Sequence, residues 1–547
     1  MEIPRQSFVQ KLRVVEKAIK ECDFMAIDTE LSGLHRPPKP IRIYTMADRY
    51  IEYKEATERF IIIQFGLCTF TWDQPSGRYI AKPFNFYVFP TGATGKIQAN
   101  RVFMTQAQAF DFLVKQSFDF NKWVYQGVPY LTKQEEAFYL EEARKRMNDD
   151  MPDIPIDDKE ASFMDRARAS IDEWISADTP ADPEGINIMT RNAYQRRLIY
   201  QDVRSRYKDL TAIGMSGFIR VVRLTEKQAK EREREAKEKI EKDLATAVGF
   251  RKVIDMISES KKIIVGHNML LDVCHVIGQF IQPLPDTLPE FKKLAHSIFP
   301  RMVDTKFIVS QEPGFKELFG TGTALEALRF ETSREAFYNP RIDMHPEFPR
   351  YLTEMAHEAG YDAFMTGAVF LKLVSAMDKK ANPSKFEPKE EENEEEKKPA
   401  KRVTEDGWEI SEEEDDADNE NWAKNDEEDV YNYGSIRVDL TDTVAQSNPL
   451  LKPFLNKSVL VRTAYDFLDF CQPETITNQS NTFYVSYKGE LPEGKKSELF
   501  SKYGKYIEEN VDEQSFFVTF ERLNVKPTEL KLQSEDITIL PVAEYLK

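Results

Sequence analysis

Four cysteines in 547 residues are too few, and too scattered, to organise this chain. Cys22, Cys68, Cys274 and Cys471 stand at unrelated spacings. That excludes a zinc-binding cysteine pattern and a disulfide framework, and it points to a reducing compartment. Also missing are a signal segment and any apolar run of transmembrane length, so a soluble protein with no membrane partner is expected. Net positive charge is absent too, at −18 for the whole chain. Spread evenly, that charge would argue against a polyanionic ligand. It is not spread evenly. Residues 386–430 hold 21 Asp and Glu against 6 Lys and Arg, a net −15, which leaves only about −3 for all the rest. Local basic surface is therefore available elsewhere. The acidic stretch has almost no apolar residues and reads as a disordered linker. Within it, residues 397–402 (KKPAKR) form a candidate nuclear-localisation run.

What is present is a large apolar share, 41% of the residues, enough for several domains. Four acidic residues then stand out by their surroundings. Asp28 and Glu30 lie in FMAIDTELSGL, Asp272 in GHNMLLDVCHVIGQF, and Asp362 in HEAGYDAFMTGAVF, with His357 five residues before it. Residues 24–27 read as a buried strand, and residues two apart on a strand project to one face, so both carboxylates can reach one centre. A buried carboxylate pair is costly without a counter-charge. Hard oxygen ligands favour Mg²⁺ or Mn²⁺ over zinc for that purpose. Phosphodiester hydrolysis commonly uses two such ions about 3.5–4 Å apart. Asp272 and Asp362 would complete the shell from two later helices. His357, in a loop or helix start, would take the proton of the attacking water. A lone Asp-x-Glu is weak evidence; four such segments in this order are specific.

With FDFNKWVYQGVPYL (118–131), GHNMLLDV (266–273), FPRMVDTKF (299–307) and MAHEAGYDA (355–363), the chain resembles the poly(A)-specific ribonuclease family, the DEDDh deadenylases, over most of its length. The resemblance implies an α/β protein with an RNase H-like DEDD exonuclease core. That core would be interrupted by a small inserted α/β domain of nucleic-acid-binding type and followed by a C-terminal α/β domain like an RNA-recognition motif. The expected divisions are 1–158 and 248–378 for the nuclease, 159–247 for the insertion, 379–435 for the acidic linker and 436–547 for the C-terminal domain. It further implies homodimerisation, single-stranded RNA 3′ ends as partners, two Mg²⁺ ions per site with Mn²⁺ able to substitute, and a location in the nucleus, the cytoplasm or both. Asp28, Glu30, Asp272 and Asp362 become the metal ligands and His357 completes the catalytic set. Leu31, Leu34, Phe112, Lys306 and Leu325 become the nucleotide pocket, apolar side chains flanking a base and Lys306 meeting a phosphate. The family more often has an aromatic where Leu31 stands.

Other departures bear on specificity. The family's inserted domain is named for an Arg-x-x-x-His motif; this chain keeps Arg196 and Arg197, but no histidine lies between His35 and His267. In the C-terminal module, residues 482–487 and 515–520 read as strands and 495–503 as a helix. Phe483, Tyr484, Phe516 and Phe517 are its candidates for base stacking or for core. The tryptophan with which the family stacks on an mRNA cap aligns with Asn510, and no tryptophan follows Trp422, so cap binding is not expected. His267 and Asn268 read as a hydrogen-bonding loop, His275 as packing, and Asp304 as a residue that orients a ligand or Lys306. Glu326 offers nothing beyond its charge. The expected activity is Mg²⁺-dependent 3′-to-5′ removal of nucleoside 5′-monophosphates from poly(A) tails. The alternatives are trimming of small non-coding RNAs such as piRNA precursors, and a silent RNA-binding scaffold.

Overall fold

A computed structural model describes residues 1–34, 46–90, 101–147, 152–178, 182, 184–320, 322–386, 436–438, 440, 449–460, 465–473, 481–520 and 527–545. Of the acidic linker, residues 387–435, with KKPAKR and Trp422, lie outside them, whereas 379–386 are described and continue helix Ala359–Ala381 into the turn Pro383–Phe386. Contacts divide the chain into two units, one of residues 1–90, 101–128 and 250–547, the other of 91–100 and 129–249. No helix among the described residues is long and apolar enough to cross a membrane.

The first unit is built on a six-stranded mixed sheet. Its strands are β1 Phe24–Leu31, β2 Ile62–Asp73, β3 Arg78–Tyr87, β4 Ile263–Gly266, β5 Met302–Asp304 and β6 Ile342–Met344, in the order β5-β4-β1-β2-β3-β6. β1, β2 and β3 form an antiparallel meander, while β4 runs parallel to β1, β5 to β4 and β6 to β3. β1 is central, which explains why its first four residues are continuously apolar and fully buried instead of alternating.

Helix Ala359–Ala381 packs across β1, β2 and β3, and two glycines permit the approach. A Cβ on Gly66 would run into the Ala359 carbonyl, and one on Gly367 into the Phe70 ring. Two buried amides of the sheet receive the helix start. The Ala359 N–H donates to Gln64 Oε1 (2.8 Å) and the Gly360 N–H to Asn85 Oδ1 (3.1 Å). These satisfy two of the backbone donors that every helix leaves open at its N-terminus.

After the linker the chain returns to this sheet. Arg437 pairs with Asp23 (2.7 Å), Tyr79 Oη donates to the Val438 carbonyl (2.9 Å), and Leu451 and Phe454 enter the main core. The hairpin Lys457–Val459 and Phe467–Asp469 follows. The C-terminal sheet's own strands begin only at Thr482, whereas its module was expected from 436. The sheet is antiparallel, in the order Tyr506–Asp512, Ser515–Phe520, Thr482–Tyr487, Ile537–Pro541, Leu532–Gln533. Its aromatics divide by strand alternation. Phe483 and Phe516 fill its core. Tyr484 and Phe517 face the other way, but Tyr545 stacks on Tyr484 (centroids 3.8 Å apart) and meets Phe517 edge-on, so none of the four is a bare stacking platform. Asn510 is exposed on an edge strand.

In the second unit, strands Gly185–Met189 and Leu210–Gly214 flank Phe218–Arg223, with helices Asp158–Ser176 and Ala193–Arg206 closing a core around Met164, Leu198, Ile219 and Val221. The charged helix Glu226–Val248 starts in a Thr225/Gln228 capping box. Arg196 donates to the Met215 and Phe218 carbonyls (3.0 and 3.1 Å), and Arg197 to the Pro152 carbonyl (2.8 Å). Both arginines hold this unit's own backbone.

Candidate active site

Asp28 and Glu30 project from the same face of β1, and the first turn of helix Ala359–Ala381 brings Asp362 to them. Carboxylate oxygens of these three residues lie within 4.8 Å of one another. Asp272, in the first turn of helix Leu270–Val276, joins through Thr29, whose hydroxyl donates to Asp272 Oδ1. Burial, and then the charges of Asp362, Asp272, Glu30 and Glu326, push the Asp28 carboxyl well above the carboxylate range. Burial followed by Asp362 and Asp272 does the same to Glu30. Asp272 is raised to about 7 by burial, against the opposing bond from Thr29. Asp362 is also raised to about 7, again by burial. An all-carboxylate set whose members disfavour each other's ionisation is what a hard divalent cation relieves, and Asp28, Glu30 and Asp362 could hold one directly.

His357 stands in the loop before this helix with φ at +64°, a left-handed conformation rare for a side-chain-bearing residue. Its backbone N–H donates to Asp362 Oδ1 (3.3 Å). Its ring meets Phe112 edge-on with centroids 4.9 Å apart, and Nε2 lies 3.7 Å from Glu326 Oε1. The neighbouring Glu358 is clamped by Arg350 in two bonds (2.8 and 2.7 Å) and by Tyr351 Oη (2.5 Å), which fixes the loop from its far side.

The expected pocket residues divide. Phe112 and Leu34 are exposed, at 42% and 47%, and Phe112 reaches His357. Leu31, beyond an irregularity in the β1–β2 register, and Leu325 are each 8% exposed, and Leu325 packs in the main core. Lys306 opens helix Thr305–Gln311 with its N–H bonded to Asp304 Oδ1 (3.0 Å).

Asp304 does more than orient Lys306. It is fully buried, accepts from the Asn268 and Met269 amides just before the Asp272 helix (2.9 and 3.2 Å), and takes the Ser458 hydroxyl (2.6 Å) and the Val459 amide (3.3 Å) from the segment after the linker. Sequence reasoning missed Glu326, Gln64, Asn85 and Ser458. No local pattern marks them, since each acts on a residue distant along the chain.

Residues 3–370 match the CAF1 family ribonuclease, and the chain belongs to that family. It is a ribonuclease. More particularly, it is 29% identical over 577 aligned positions to the poly(A)-specific ribonuclease PARN of Xenopus laevis, covering all of this chain and 81% of that protein. To the Danio rerio protein of the same name it is 30% identical, covering all of this chain and 78% of the relative. It is 29% identical to the pre-piRNA 3′-exonuclease trimmer of Bombyx mori, covering 68% of this chain and 71% of that one. Among solved structures, S. pombe Pop2p in its Mg²⁺- and Mn²⁺-bound form aligns with a TM-score of 0.34 and 13% identity, over 68% of this chain and 91% of that one.

Proposed function

We propose that this ribonuclease shortens poly(A) tails, acting 3′-to-5′ on single-stranded RNA and releasing nucleoside 5′-monophosphates. The observation that carries this reading is the convergence of Asp28, Glu30 and Asp362 within 4.8 Å, with His357 bonded to Asp362 beside them. Asp28, Glu30, Asp272 and Asp362 would hold two Mg²⁺ ions, or Mn²⁺ in their place. When bound, these ions supply the positive charge that the buried carboxylates and the scissile phosphodiester both require.

The residues of the chain do the rest. His357 takes a proton from the attacking water, and if it gains that proton at Nε2 the Glu326 carboxylate 3.7 Å away stabilises it. The water oxygen bonds to phosphorus as the bond to the 3′ oxygen of the preceding ribose breaks. That oxygen, on the shortened RNA, receives a proton. Phe112 and Leu34 face the departing nucleotide with exposed apolar surface, Leu31 and Leu325 back it from the interior, and Lys306 meets its phosphate. The second unit serves as a nucleic-acid-binding type domain, the C-terminal sheet as an RNA-recognition-motif-like domain, and the enzyme works as a homodimer.

A second reading, trimming of small-RNA 3′ ends, is favoured by Leu31 in place of an aromatic, by Asn510 in place of a cap-stacking tryptophan, and by the likeness to the trimmer. Degradation of matched RNAs ending in oligo(A) or mixed sequence, with Mg²⁺, for wild type and Asp28→Ala, separates the readings. Loss of oligo(A) alone supports deadenylation. Equal loss of both supports trimming. No turnover by the wild type on either RNA overturns both in favour of a binding scaffold.

A further inference from the structure

A second cavity, of about 650 Å³, lies in the first unit and has the opposite electrostatic character from the carboxylate site. Its volume falls within the range of small-molecule pockets. Arg78, Arg329, Arg341 and Lys372 line it against a single carboxylate, Asp343, and that carboxylate is engaged by Arg78 (2.7 Å). Arg341 lies over the Tyr338 ring (5.0 Å), which presents a guanidinium at the wall. Among the described residues Arg329 has no acidic partner. Lys372 Nζ donates to the Tyr338 and Pro340 carbonyls (2.7 and 2.8 Å) and so is held in place without being neutralised. Burial, and then the charge of Arg329, lower the Lys372 ammonium to about 8. Phe364 adds an aromatic wall.

Concave walls of low dielectric strengthen such a field, and guanidinium forks match phosphate oxygens two at a time. We infer that this cavity binds a phosphate-bearing ligand of nucleotide size, held by Arg329 and Arg341. Two sources share that chemistry: a free nucleoside polyphosphate, or a phosphodiester of the RNA upstream of its 3′ end. The second source rests on the function proposed above; the first does not. Helix Leu325–Glu331 carries both Glu326, beside His357, and Arg329, so the cavity begins one helical turn from the catalytic loop.

The test uses the full chain stripped of metal with EDTA, which removes the cations that would draw a phosphate to the carboxylate site. ATP binding is measured by calorimetry for wild type, Arg329→Gln and Arg341→Gln, with thermal melting as a check on folding. With Mg²⁺ restored and no ATP, KM is measured on a 5-nucleotide and a 20-nucleotide oligo(A). ATP binding that falls at least tenfold in both variants, with both KM values unchanged, assigns the cavity to a free nucleotide. A KM raised at least fivefold for the long RNA only, in both variants, assigns it to the RNA backbone. ATP that fails to bind wild type at millimolar concentration, or binds all three proteins alike, overturns the inference when KM for the long RNA is also unchanged. Failure of deadenylation with ATP binding intact would overturn the proposed function and leave the cavity standing.

Discussion

Thr29 stands between the two carboxylates of β1 in sequence and ties them to a third in space through its bond to Asp272. Four acids crowded in this way give opposite answers for activity and for stability. Asp28→Asn replaces a carboxyl whose ionisation burial and its acidic neighbours disfavour, so the metal-free variant should melt above wild type while its turnover falls more than about 100-fold. Thermal denaturation in EDTA beside a single-turnover RNA assay checks both halves; a variant that is inactive and also less stable would contradict the electrostatic account.

Burial of two of these acids sets a pH dependence. Asp272 and Asp362 titrate near 7 in the fold and near about 3.9 in the unfolded chain. The unfolded state therefore gives up these protons first as pH rises. The associated stability is full below about 4 and is lost as pH climbs through 7. Metal-free protein should melt lower at pH 8 than at pH 5, and Mg²⁺ should restore most of the difference by replacing the protons. Melting curves across that range, with and without EDTA, would expose a flat profile as a failure. At this scale the carboxylates are legible in the sequence because each sits in its own local apolar frame. Glu326 is not, because its meaning depends on a short helix folding back against the loop of His357.

Helix Ala359–Ala381 is positioned by what β2 and β3 lack and by what they offer. Gly66 leaves the space and Gln64 and Asn85 supply the acceptors. Gly66→Ala puts a methyl group against the Ala359 carbonyl, a backbone atom that moves only if the helix start moves with it. The expected cost is about 1–3 kcal/mol of stability together with a loss of activity, since Asp362 is carried on the same turn. Urea denaturation and kcat measure the two effects, and wild-type values for both would show that the helix tolerates displacement. The periodicities that mark β1, the helices of Asp272 and Asp362, and the charged helix of the second unit are readable over a few turns of chain. The glycine contact and the two amide caps are not: Gln64 and Ala359 are 295 residues apart. The aromatics of the C-terminal sheet show the same boundary, since alternation divides them between two faces but cannot reveal that Tyr545 covers one of those faces.

For the whole molecule, Asp304 is where distant parts meet. Its oxygens hold the amides that precede the Asp272 helix and also accept the Ser458 hydroxyl and the Val459 amide. A chain ending at Phe386 would lose those two donors along with Val438, Leu440, Leu451 and Phe454 from the main core. Removal of one buried donor to a charged group costs about 1.5–3 kcal/mol, and the lost apolar packing adds to it. The truncated chain should unfold at lower denaturant than the full chain and lose turnover even on the shortest RNA. Equal midpoints in the two chains would mean that the returning segment only rests on the surface.

The anchoring of the segments on both sides of the linker has a consequence for a cut chain. Phe386 closes the run that follows the Asp362 helix, Arg437 is paired with Asp23 just before β1, and Val438 and Ser458 are bonded to Tyr79 and Asp304 of the sheet. Peptide bonds between 387 and 435 are thus not what keeps the two sides together. A protease nick there should yield two bands on a denaturing gel, one peak on a sizing column and an undiminished rate, a nuclease in two pieces that behaves as one.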